Sequence, residues 1–270
     1  MKKAYIDLPE GQMHYRTAGD GPPLLLLHQA PLCSLEWEKV IPQLARNYQV
    51  IAPDMMGHGN SDDPPREFEM EDFTRTTLQF MDALGIKRAI LGGNHSGAAL
   101  ALSIAVNHPE RVSHLILSCE MLVTREEIDA FLEKIKNTPM SRDLPMDDQG
   151  KFLVEAWGRY KLLAPTASPA TRFLPFVIGQ EARLRPFDAH YAVLRWLRKA
   201  DRMPQIQCPT LVFGPENDLF FNIPRMNSAL TRIADCQTVI IKDAGAMCAF
   251  EKPTELASAI QNFISASMPR

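Results

Sequence analysis

The chain has 270 residues, 46% of them apolar, with 29 basic and 32 acidic side chains and a formal net charge of -3. That length can bury a full core in one large domain or one domain with an insertion, and the charge balance offers no basic footprint for nucleic acid or anionic lipid. Five cysteines in no C-x-x-C pair (Cys33, Cys119, Cys208, Cys236, Cys248) point to reduced thiols, a cytoplasmic setting and no structural zinc.

Residues 4–7 and 12–17 read as two short strands joined at Pro9-Glu10-Gly11. Leu24-Leu25-Leu26-Leu27-His28, bounded by the turn Asp20-Gly21-Pro22-Pro23, has the unbroken apolar run of a strand buried on both faces. A helix is expected over 34–46, a buried strand over 48–52, then the loop Asp54 to Asp62 and a helix over 71–84 ending at Gly85. A strand to Leu91, a helix over 98–107 and a strand over 114–118 follow. From 122 to 203 only helical patterns occur (124–136, 149–163, 172–182 and 186–200), before strands at 210–214 and 238–241 and a closing helix over 253–265. The strand–helix alternation predicts an α/β fold with a mostly parallel eight-stranded sheet covered on both faces. The helical stretch divides the chain into a core domain (1–121 and 204–270) and a helical cap (122–203). The longest apolar run, 98–106, is too short to span a bilayer, and the N-terminus has no apolar signal core.

The centre of this pattern is Leu91-Gly92-Gly93-Asn94-His95-Ser96-Gly97-Ala98. A turn from strand directly into helix crowds backbone atoms, so it needs tiny residues on both sides. Gly93 and Gly97 supply them and push His95 out at the carboxyl end of the strand. In a G-x-S-x-G elbow that apex is a serine nucleophile.

Four segments together resemble the α/β-hydrolase fold superfamily, in its capped branch of epoxide hydrolases, haloalkane dehalogenases and C–C hydrolases. They are Leu24 to His28 with Gln29-Ala30-Pro31, the loop Asp54-x-x-Gly57-x-Gly59-x-Ser61-Asp62, the elbow with His108-Pro109-Glu110-Arg111-Val112 downstream, and Pro209 to Asp218. The resemblance implies an oxyanion hole from the N–H groups of Ala30 and Ser96 and an acid at Asp218, with Glu120 as the second choice and Asn217 as a substitute. Three departures stand out. His95 occupies the nucleophile position, and the position of the family's catalytic histidine, after Asp243-Ala244-Gly245, is Ala246. The glycine that follows His28 in the family is Gln29.

A serine–histidine mechanism cannot operate with this set. Imidazole at the elbow can act as a general base or attack an acyl carbon itself. The expected function is hydrolysis of a small, largely apolar ester, lactone or related acyl compound. The alternatives are a cofactor-free lyase or decarboxylase-like enzyme with His95 as proton shuttle, and a binder without catalysis. His28, Gln29, Trp157 and His190 are candidate substrate contacts, with bland rivals as loop brace, packing or helix-face residues. No metal cluster and no phosphate-binding G-x-G-x-x-G is present, so no cofactor is expected. The partner is a small-molecule substrate, without nucleic acid or membrane, and a homodimer is allowed.

Overall fold

A computed structural model describes residues 1–118, 123–138, 140–219 and 221–267. Eight strands form one sheet: β1 (Lys2–Leu8), β2 (Gly11–Ala18), β3 (Pro23–Leu27), β4 (Gln49–Pro53), β5 (Ala89–Gly93), β6 (Val112–Ser118), β7 (Thr210–Pro215) and β8 (Cys236–Ile241). Their order is β1-β2-β4-β3-β5-β6-β7-β8, with β1 and β2 antiparallel to their neighbours and every other pair parallel.

The apolar runs of the central strands are explained by burial on two faces. Leu24, Leu25, Leu26 and Leu27 of β3 are all fully buried. Leu25 and Leu27 join one core layer with Ile51, Leu91, Leu115 and Val212. Leu24 and Leu26 join the other with Val50, Ile90, Ile116 and Leu211. Successive side chains on a strand point to opposite faces, so a strand covered on both sides must be apolar throughout. Each such leucine contributes about 1.5–3 kcal/mol on burial.

The first layer is covered by α2 (Met70–Ala83) and α3 (Ser96–Asn107), the second by α1 (Ile41–Leu44) and α10 (Pro253–Ser267). The single helix expected over 34–46 is not formed. A 3-10 turn at Ser34–Trp37 and the short α1 take its place. Pro42 lacks the N–H that would bond four residues back, so it can sit only in the first turn of a new helix. A helix with no sequence expectation, α8 (Ile223–Arg232), starts at Asn222, whose side chain accepts from Arg225 N–H at 2.7 Å. The short α9 (Cys248–Glu251) precedes α10.

Between β6 and β7 lie α4 (Arg125–Asn137), α5 (Lys151–Leu163), α6 (Pro169–Glu181) and α7 (Ala189–Lys199). Helix α6 begins earlier than the apolar pattern suggested, because Ser168 caps it and Pro169 fits its first position. Ala192, Val193 and Trp196 of α7 are buried in the same layer as α3. Tyr160, Ala164 and Ile178 from the α5–α6 pair pack against Leu32, Cys33 and Met247 of the sheet's loops and Phe250 of α9. Among the described residues, no helix is long and apolar enough to cross a membrane.

Candidate active site

The elbow between β5 and α3 is as tight as its glycines require. A Cβ on Gly93 would lie 2.3 Å from the backbone of Gly97, and one on Gly97 would lie 2.1 Å from the carbonyl oxygen of Leu27. His95 at the apex has φ 47° and ψ -119°, a conformation that costs a non-glycine residue about 1–3 kcal/mol. Its backbone N–H donates to Ser118 Oγ at 2.8 Å, which ties the apex to the end of β6.

The apex side chain reaches the acid directly. His95 Nε2 lies 2.8 Å from Asp218 Oδ2, with the imidazole 13% and the carboxylate 2% exposed. Asp218 follows β7 in a turn closed by its own N–H to Pro215 at 3.0 Å, while Asn217 N–H bonds Ala244 at 2.8 Å. The ends of β5, β6 and β7, consecutive in the sheet, therefore present His95, Ser118 and Asp218 side by side. Open α/β sheets bind ligands beyond the carboxyl ends of their strands, which is where these three residues stand.

The loop after β3 closes the site from the other side. Ala30 N–H donates to Ser96 Oγ at 2.5 Å, so the two positions expected to line an oxyanion hole touch each other. Gln29 Nε2 donates to Glu36 Oε1 at 2.9 Å and to the carbonyl of Ala246 at 2.9 Å, and Gln29 N–H donates to Glu36 Oε2 at 2.7 Å. Asn94 Nδ2 reaches the same two acceptors, at 2.9 and 3.0 Å. Gln29 and Ala246 thus belong to one buried network behind the elbow. Met55 N–H donates to His28 Nε2 at 2.9 Å, so Nδ1 carries the proton and donates to the carbonyl of Gln29 at 2.9 Å. Burial lowers the pKa of His28, against an opposing pull from Asp54. Wholly buried and with both nitrogens committed to backbone, His28 braces two loops and has no polar atom to offer a ligand.

Asp54 organises the next loop. It accepts from Ser34 N–H at 2.6 Å, His14 Nδ1 at 2.8 Å and Asn60 N–H at 2.9 Å. Burial opposes its ionisation, but these donors and His28 outweigh it and lower its pKa to about 2. His58 stacks on His28 with ring centroids 5.2 Å apart, and burial first, then the repulsion of His28, lowers its pKa to about 3.

Trp157 lies on α5, edge-on to Phe176 at 5.2 Å and beneath Arg172 at 5.4 Å. His190 on α7 pairs with Asp188 at 2.7 Å and lies within electrostatic reach of His58. Glu120 falls outside the described residues. Sequence reasoning missed Ser118, Asn94 and Glu36. An acid between Leu35 and Trp37, at a position that is buried in the turn, is the one sequence signal that could have marked Glu36. Among the described residues no group of three His, Cys, Asp or Glu side chains could hold a metal ion.

Residues 22–161, just over half the chain, match the family model for the alpha/beta hydrolase fold. The chain is 27% identical over 267 residues to the 2-hydroxy-6-oxo-6-(2'-aminophenyl)hexa-2,4-dienoic acid hydrolase of Metapseudomonas resinovorans, covering 94% of this chain and 88% of that one. It is 32% identical over 154 residues to a haloalkane dehalogenase of Mesorhizobium japonicum, covering 57% and 50% of the two chains. For several curated relatives the match spans half of their length or less. Among solved structures, a thermophilic esterase from Thermogutta terrifontis superposes with a TM-score of 0.77 at 22% identity over the full length of both chains. With its family model matched and its sheet order in place, the chain belongs to the alpha/beta hydrolase fold family.

Proposed function

We propose that the protein is a cofactor-independent hydrolase of small, largely apolar esters, lactones or related acyl compounds, with His95 as general base. The observation that carries this reading is the 2.8 Å bond between His95 Nε2 and Asp218. An ionised carboxylate there makes Nε2 the donor and leaves Nδ1 as the basic nitrogen of the neutral ring. Water attacks the acyl carbon as His95 takes its proton, and the leaving alkoxide collects that proton when the tetrahedral intermediate collapses. Asp218 holds the ring and stabilises the imidazolium that forms.

The developing oxyanion is held by the N–H of Ser96, one of the groups left unbonded at the start of α3, and by the Ser96 hydroxyl, which Ala30 N–H polarises from behind. Residues 122–203 act as a cap, with Trp157 and His190 on the helices that face incoming substrate. The hydrolase and esterase among the similar proteins support the reaction class.

The test is turnover of p-nitrophenyl esters and small lactones by the wild type and by His95→Ala. Loss of about 100- to 10,000-fold is expected for removal of a general base; full turnover by the variant on every active substrate rejects the reading. Reaction in labelled water should place the heavy oxygen in the acid product. Solvent deuterium appearing at a substrate carbon without hydrolysis would point to lyase chemistry instead, and an acylated His95 trapped by mass spectrometry would make the ring a nucleophile.

A further inference from the structure

Glu36 is a carboxylate to which the proposed reaction gives no task. It is 1% exposed. Three N–H donors converge on it, the backbone and side chain of Gln29 and the side chain of Asn94, at 2.7 to 2.9 Å. The two side-chain amides each give their second hydrogen to the carbonyl of Ala246, closing a square whose corners are Glu36 Oε1, Gln29 Nε2, Ala246 O and Asn94 Nδ2. Burial raises the pKa of Glu36, but these three donors and the nearby His95 pull the other way and favour the carboxylate. Two corners of the square are direct chain neighbours of the proposed machinery: Gln29 precedes Ala30 and Asn94 precedes His95.

We propose that Glu36 is the positioning residue of the His95 site, setting the elbow through Asn94 and the Ala30 loop through Gln29, with a charge that favours the imidazolium form of His95. It rests on the reading of His95 as the working group. Ala246, at the position where the resemblance expects a histidine, supplies one corner of the square through its backbone carbonyl. When His95 takes a proton from water, an anion on either side, Asp218 in direct contact and Glu36 behind Asn94, lowers the energy of the cation. Among the described residues, Asp218 from the loop after β7 and Ser118 from β6 contact His95, and Cys248 from α9 feels both Glu36 and Asp218.

The test is an NMR titration of His95 in full-length protein labelled with nitrogen-15 at histidine, for the wild type, Glu36→Gln and Glu36→Asp. Neutralising the carboxylate is expected to lower the His95 midpoint by about half a unit or more, whereas Glu36→Asp, which keeps the charge, leaves it near the wild-type value. On an active ester, Glu36→Gln should lower kcat roughly tenfold or more with KM little changed, the signature of a lost transition-state interaction. An unchanged midpoint in Glu36→Gln, with or without a fall in kcat, overturns the proposal and reduces Glu36 to packing. Should Glu36→Gln not fold, Asp218→Asn replaces it: with the direct partner neutral, His95 is expected still to titrate above about pH 6, and a midpoint below about 5 overturns the charge effect. The titration needs no substrate, so absence of ester hydrolysis would reject the proposed reaction without touching this result.

Discussion

At Gly97 the space for a side chain is already filled: a Cβ would stand 2.1 Å from the Leu27 carbonyl oxygen, a backbone atom that the sheet holds in register. Gly97→Ala is therefore expected to cost about 3 kcal/mol or more, read as a fall in the urea midpoint, because backbone rather than a flexible side chain would have to yield. The same crowding made the elbow legible in the sequence. Small residues on both sides of a strand-to-helix change are a local demand, visible without knowing what lies opposite. Glu36 was not legible in that way. Its partners stand 7 and 58 residues away in sequence, so its meaning exists only once the strands are assembled. Asp218 is an intermediate case: the resemblance marked the loop, but the direct bond to His95 depended on a missing histidine and a ring long enough to bridge the gap.

Among the elements, the central strands were legible because burial on both faces leaves a short unbroken apolar run bounded by turn residues. The helix over 34–46 failed at Pro42, where amphipathic spacing continues through a residue that cannot join the hydrogen-bond ladder. Helix α8 had no sequence expectation, and its start is a local one, with Asn222 as cap and Pro224 in the first turn. Helix α7 joins the sheet's core chiefly through Trp196, which is 2% exposed, with the Arg202 guanidinium 4.0 Å from its ring centroid. Trp196→Ala should cost about 3–5 kcal/mol. Hydrogen exchange is expected to rise first in α7, where the packing is lost, and to stay low in β5 and β6.

For the whole molecule, acid sensitivity follows from the buried histidines. His58 titrates near 3 when folded and near 6.5 when unfolded, so below pH 6.5 the unfolded chain takes up a proton that the native state refuses. The resulting loss is about 2 kcal/mol between pH 6.5 and 5, and His28, lowered in the same direction, adds to it. Asp54 works differently: its carboxylate stabilises the fold above the ordinary carboxylate range, a contribution lost as pH falls from about 4 towards 2. Glu36, raised by burial, opposes both trends and blunts the acid limb. Urea midpoints should hold level from pH 7 to 8 and decline from pH 6.5 downward, with a shallower decline in His58→Gln.

The direct pairing of His95 with Asp218 also changes what the loop after β8 is for. His95 and Asp218 both ride on strand ends of one sheet, while that loop is stitched to the segment above it: Ala246 N–H to Leu163 at 2.8 Å, and the Thr166 hydroxyl to Asp243 at 2.8 Å and to Glu251. Because Ala246 also accepts from Gln29 and Asn94, movement of α5 and α6 would reach the Glu36 square, and through it the elbow, by way of this loop.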